Sequence, residues 1–129
     1  MKSALANEKV GDAAHERPDG FEVSVSRTLA VSGEALIQAW KDPGTRKRWL
    51  PKAPLSITKS TPGRSLRAKW GEGEERLDVS VYPKGEKTLL TVQHRRLPDP
   101  EAAERSRAFW RERLQRLSAV LEAPPQGKG

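Results

Sequence analysis

Trp70, Glu75 and His94 are the residues of this 129-residue chain whose types and spacing best suit chemistry. They lie around two glycine-containing segments, Gly71-Glu72-Gly73-Glu74 and Pro83-Lys84-Gly85-Glu86, that read as hairpin turns. With Glu72-Gly73 at the centre of the first turn, Trp70 faces Glu75, Ala68 faces Leu77 and Leu66 faces Val79. With Lys84-Gly85 at the centre of the second, Val79 faces Leu90, Leu77 faces Val92 and Glu75 faces His94. This register gathers the apolar residues on one face and makes Trp70, Glu75 and His94 neighbours at one end of it. A carboxylate beside an imidazole raises the imidazole pKa and orients it, as an acid/base pair or as a hydrogen-bond partner for a ligand. At a solvated sheet margin the same two residues are an ordinary polar pair.

Other chemistries find little support. No serine lies in a Gly-x-Ser-x-Gly setting. The chain has no cysteine, which excludes disulfides, thiolate metal sites and a cysteine nucleophile. Its two histidines, His15 and His94, leave no multi-histidine metal site, and neither metal nor cofactor is implied. Arg113 falls inside an apolar helical arc between Phe109, Leu117 and Val120. Its guanidinium either snorkels to water or points into a cavity, where it would bind a carboxylate. Trp40, Trp49 and Trp110 each sit on the apolar side of a helix, as core or as cavity wall. The candidate ligand-binding set is therefore Trp40, Trp49, Trp70, Leu77, Val79, His94, Trp110 and Arg113, with His94 and Glu75 as the catalytic candidates.

The elements that must position these residues are legible. Residues 21–29 alternate apolar and polar side chains, the pattern of a half-buried strand. Ser32 caps a short helix containing Leu36, Ile37 and Trp40. Asp42-Pro43 starts a second helix that ends at Trp49-Leu50 before Pro51. Strands follow at residues 55–60, 66–70, 76–82 and 87–95. Asp99 then caps a long helix, with Pro100 at its first position and Glu101 and Glu104 in its first turn. In that helix Ala103, Trp110, Leu114, Leu117 and Leu121 form one apolar arc at helical spacing. A helix this apolar on one side must lie against the strands, so the expected fold is α+β, a curved antiparallel sheet gripping the C-terminal helix. Residues 1–20 read as a flexible leader, 21–123 as the domain and 124–129 as a disordered tail.

Hydrophobic residues make up 35% of the chain and charged residues 32%, so the core is small or partly hollow. No apolar run has transmembrane length and no signal peptide is evident, so a cytoplasmic protein is expected. The net charge of +7 is concentrated in residues 21–71, which carry ten basic and three acidic side chains. That stretch, with Arg46, Lys47 and Arg48 at its centre, is either a solubilising surface or a docking site for an acidic protein partner. No stacking series of aromatics accompanies it, which argues against nucleic acid.

The run Val23-Ser24-Val25-Ser26-Arg27-Thr28-Leu29 leads to Ala39-Trp40-Lys41-Asp42-Pro43 and then Arg48-Trp49-Leu50. Thr91-Val92-Gln93-His94 and the Trp110-x3-Leu114-x2-Leu117-x3-Leu121 helix follow. In this order the motifs, over residues 21–122, resemble the helix-grip superfamily of START domains, polyketide cyclases and the birch-pollen allergen type. The branch most similar is the domain found in activators of the Hsp90 ATPase. The resemblance implies the curved sheet, the long helix and two short helices after the first strand. It does not fix function, because the superfamily includes lipid carriers, cyclases, hydrolase-like members and co-chaperones. The Hsp90-activating role belongs to longer proteins with a further domain. Three readings are expected in this order: a pocket between sheet and helix for a small apolar or amphipathic ligand, a module docking an acidic partner, and a cyclase- or hydrolase-like enzyme using His94 with Glu75.

Overall fold

The computed structural model describes residues 15–17 and 20–122. Its elements are β1 (His15–Arg17), β2 (Gly20–Leu29), α1 (Gly33–Lys41), α2 (Pro43–Trp49), β3 (Leu55–Thr61), β4 (Ser65–Trp70), β5 (Arg76–Lys84), β6 (Lys87–Leu97) and α3 (Pro100–Glu122). The six strands form one antiparallel sheet in the order β1-β2-β6-β5-β4-β3. The expected leader is corrected in one part: residues 15–17 are a strand, paired with Gly20–Glu22. Gly20, the last leader residue, opens β2; residues 1–14, 18 and 19, and the expected tail, lie outside the described residues.

The helices begin where side chains satisfy their free amides. The Ser32 hydroxyl accepts from the Ala35 amide at 3.0 Å, and Asp99 accepts from the Ala102 amide at 2.8 Å. Asp42 serves two helices at once. Its own amide donates to Gln38 at the end of α1, while its carboxylate takes the Thr45 amide and hydroxyl at the start of α2. The Thr45 hydroxyl, then the Thr45 amide, hold the Asp42 carboxyl below its ordinary value. At the far end of α3, Glu122 accepts from Ser118 and from the Ala30 amide beyond β2, fastening the helix across the sheet.

One face of the sheet carries Val25, Leu29, Leu66, Ala68, Leu77, Val79, Leu90 and Val92 into the core, where Trp110, Leu114 and Leu117 of α3 meet them. Trp40, Trp49 and Trp110 fill the middle. Trp40 stands edge-on to Trp49 at 4.8 Å and tilted against Trp110 at 5.6 Å, and all three are 0% exposed. The core is packed here rather than hollow.

The first hairpin has the expected register, with Leu66 opposite Val79 and Ala68 opposite Leu77. The second does not. Its turn is centred on Gly85-Glu86, with Lys84 opposite Lys87, so Val79 faces Val92 and Leu77 faces His94. Gly85 takes a positive φ of 65°, a conformation glycine adopts without strain, and this moves the turn by one residue. The pairing slips by two residues, which leaves every side chain on its expected face.

Candidate functional site

At the end of the sheet where β6 turns into α3, a cleft of about 300 Å³ opens between the strands and the first three turns of the helix. It is lined by Trp70, Glu75, His94, Leu97, Ala102, Arg105, Ser106 and Phe109. His94 is directly opposite Leu77, so Glu75 reaches it diagonally, a span that a glutamate side chain covers. Glu75 Oε1 lies 2.7 Å from His94 Nε2.

The other ring nitrogen is also taken. Trp110 Nε1 donates to His94 Nδ1 at 2.9 Å. An indole N–H only donates, so Nδ1 carries no proton. A neutral imidazole must then hold its proton on Nε2 and donate it to Glu75. The side chains alone thus fix the tautomer, and an imidazolium would forfeit the bond from Trp110.

Burial is the largest influence on His94 and holds it below the ordinary value of 6.5, against the upward pull of the Glu75 hydrogen bond and charge. The sequence alone suggested a net upward shift, because it shows the carboxylate but not a ring that is 2% exposed. The Trp110 donor acts in the same direction as burial, since it stabilises only the neutral ring. Glu75 itself is 32% exposed and faces the cleft.

Trp70 stands edge-on to His94 at 5.5 Å, to Trp110 at 5.3 Å and to Phe109 at 5.8 Å. The cleft therefore has aromatic walls, an acceptor at its floor, and Arg105 and Ser106 along its helical side. Trp70, Glu75 and His94 meet as the strand parity predicts. Trp40, Trp49, Leu77, Val79 and Trp110 do not line the cleft, because they close-pack beneath it. Arg113 does not reach it either. Its guanidinium lies 5.0 Å from the centre of the Phe109 ring, with its side chain 19% exposed.

Sequence reasoning missed Leu97, Ala102, Arg105 and Ser106, and took Phe109 only as a flank of the core arc. A signal was present. Ala102, Arg105, Ser106 and Phe109 follow the i, i+3, i+4, i+7 spacing of one helical face, beside the arc that meets the sheet.

The expected docking triad is divided. Arg46 donates to the Trp40 carbonyl at 2.7 Å, satisfying one of the free carbonyls at the end of α1. Lys47 and Arg48 are exposed. Among the described residues, no group of three or more histidines or carboxylates is placed to hold a metal ion, and no helix is long and apolar enough to cross a membrane.

Neither a protein-family model nor a curated protein matches the sequence. Solved structures do match. The Aha1 protein of Colwellia psychrerythraea, a dimer in solution, superposes with a TM-score of 0.72 at 14% identity, over 84% of this chain and 98% of its own.

The fold is the helix-grip fold.

Two further solved structures share this architecture. The AHSA1 protein of Silicibacter pomeroyi has a TM-score of 0.67 at 23% identity, over 78% of this chain and 97% of its own. CalU16 of Micromonospora echinospora has a TM-score of 0.69 at 17% identity, over 86% of this chain and 83% of its own. Identities this low establish the architecture and leave the function to the side chains of this helix-grip chain.

Proposed function

We propose that this chain is a binding module that takes a small amphipathic molecule in the cleft beside Trp70, Glu75 and Phe109. The ligand's apolar body lies against Trp70 and Phe109, and its polar group meets Glu75. The observation that carries this reading is the chain of bonds from Trp110 through His94 to Glu75. It fixes one carboxylate, at the floor of an aromatic-walled cleft, as an acceptor. A ligand bound there finds its recognition group already oriented, which lowers the cost of association. A volume of about 300 Å³ suits a small molecule and not a lipid tail buried in the core.

The same bonds favour binding over acid/base chemistry. His94 has both ring nitrogens committed: its Nε2 already carries a proton, so to take one from a substrate at the bare Nδ1 it must first release Trp110. The similarity to the AHSA1 structure adds the branch, as a proposal, to the helix-grip fold.

Native mass spectrometry of the purified protein tests for a retained molecule. Backbone and indole NMR spectra, titrated with a panel of small amphipathic amines and carboxylates, then test the location. The expected shifts fall on the Trp70 indole and the Ser106 amide, and Trp70→Ala removes them. Shifts confined to the Trp40 and Trp49 indoles place binding in the core and reject the cleft, as does a panel that moves nothing.

A further inference from the structure

The outer face of the sheet, on the side away from α3, carries an arrangement of charge that the cleft does not explain. Strand register sets Lys69 of β4 directly opposite Arg76 of β5, and Arg76 directly opposite Arg95 of β6. Three cations thus stand in one row across three strands. Two residues along β4, a second row begins with Lys59 of β3 opposite Arg67. Like charges directly opposite one another on a sheet are destabilising, so these rows cost the fold stability. A solubilising surface needs no such apposition, because interspersed charges keep a protein in solution equally well.

The neutralising groups sit low. Asp78 lies next to Arg67 in the second row and pairs with it at 3.4 Å and with Arg95 at 2.7 Å. Glu22 lies 3.6 Å from Arg95. Their side chains are 18% and 8% exposed, against 68% for Arg67 and 44% for Arg95. The carboxylates are covered and the cations stand above them. Arg76 is half-spent on the Glu74 and Glu75 carbonyls, both at 3.2 Å. Between these groups lies a depression of about 260 Å³, walled by Arg67, Arg76, Asp78, Arg95, Arg96 and Thr58. Arg96 leans to Glu74 at 3.3 Å.

We propose that this outer face, centred on Lys59, Arg67, Lys69, Arg76 and Arg95, docks an acidic segment of a partner protein. Charge complementarity selects the occupant: five cations surround two covered carboxylates, the exposed Glu74 at the rim is paired with a sixth cation, Arg96, and guanidinium forks match carboxylates in geometry. The depression seats one aspartate or glutamate side chain of the partner, and the exposed lysines meet its neighbours. The remaining outward positions of the two rows are Ser56, Gln93 and Ser24. No aromatic stands among them to stack a base, and no apolar side chain to enter a lipid layer. Tyr82, the exposed aromatic of this face, is six residues from Arg76 along β5, about 20 Å at the rise of a strand. The inference is independent of the cleft, which opens on the other side of the sheet.

The test is fluorescence anisotropy with a labelled peptide of alternating glutamate and serine, long enough to cross four strands. A glutamine-serine peptide, a labelled oligothymidine and phosphatidylserine vesicles are measured beside it. The acidic peptide is expected to bind more tightly than the other three and to weaken as salt rises to the physiological range. Lys59→Gln with Lys69→Gln should weaken it about fivefold, the product of two exposed ion pairs of ordinary strength. Lys47→Gln with Arg48→Gln, which removes equal charge from α2, should leave it unchanged. Lys69→Gln alone should raise the thermal midpoint by about 1–4 °C, because it removes a like-charge neighbour. Equal losses in the two double variants would reduce the effect to net charge and overturn the proposal. Tighter binding of oligothymidine or vesicles, failure of the peptide to bind, or a midpoint that does not rise would also overturn it.

Discussion

Replacing Trp110 by phenylalanine separates the hydrogen bond at the base of the cleft from the packing around it. The indole is 0% exposed and touches Trp40, Trp70, Phe109 and His94. Phenylalanine keeps an aromatic ring in this cage but removes the donor to His94 Nδ1. A buried acceptor left without its donor costs about 1–3 kcal/mol. The lost part of the indole leaves a void of about 40 Å³, which adds about 1 kcal/mol at ~24 cal/mol per Å³. The sum is about 2–4 kcal/mol, read from the urea midpoint at an unchanged slope. Trp110→Ala should cost more, about 3–5 kcal/mol from packing alone. The phenylalanine variant carries a second signature that simple loss of packing does not. With the donor gone, protonated His94 no longer forfeits a bond, so its pKa by NMR should rise. A loss below about 0.5 kcal/mol together with an unmoved His94 titration would refute the assigned bond.

Glu75→Gln should lower the His94 pKa further, because the carboxylate pulls it upward, and an unchanged NMR titration would show the two groups uncoupled. Burial keeps folded His94 neutral, so on acidification the unfolded chain takes the proton first. Its contribution to stability should therefore be constant above pH ~6.5 and fall below it, by at most about 1.4 kcal/mol per pH unit, until the folded-state pKa is reached. His94→Gln should flatten that limb of a stability–pH profile. Glu122 titrates below its ordinary value because the Ala30 amide, then Ser118, hold its carboxylate. Its contribution is present above about pH 4.5 and lost as pH falls through the folded value, and Glu122→Ala should cost about 1 kcal/mol in urea unfolding, an ordinary charge-assisted bond discounted for exposure. Arg46→Ala should lower the unfolding midpoint by about 0.5–1.5 kcal/mol through the freed Trp40 carbonyl, while Lys47→Ala with Arg48→Ala should leave it within about 0.5 kcal/mol.

Most of the architecture was legible because local signals agreed with the global fold. Ser32, Asp42 and Asp99 each announce a helix start by a side chain that accepts a backbone amide, and all three do so. The apolar spacing of α3 identified the side that meets the sheet. Parity alone placed Trp70, Glu75 and His94 on that side, and it survived the misplaced centre of the second turn because a slip of two residues changes no face. The turn centre itself was ambiguous, since Lys84-Gly85 and Gly85-Glu86 both suit a two-residue turn. Strand β1 was missed because the three residues His15–Arg17 have no apolar alternation, and their pairing with β2 is a long-range choice. The pocket was misjudged in extent. Sequence identifies Trp40, Trp49 and Trp110 as inward-facing but not whether they leave space between them, which depends on how three indoles nest. The hydrogen bond from Trp110 to His94 joins α3 to β6 across the core, and no local pattern encodes such a contact.

The position of the proton on the His94 ring decides whether Trp110 and Glu75 are joined through it. Long-range proton–nitrogen correlation spectra of the histidine ring at neutral pH read this directly, with His94→Gln to assign the signal. The structure predicts a neutral ring protonated on Nε2 and bare on Nδ1, persisting as the pH falls below 6.5. A ring protonated on Nδ1, or an imidazolium at neutral pH, would contradict it. Either result would mean that Trp110 does not donate to His94 and that Glu75 is not held at the floor of the cleft as described.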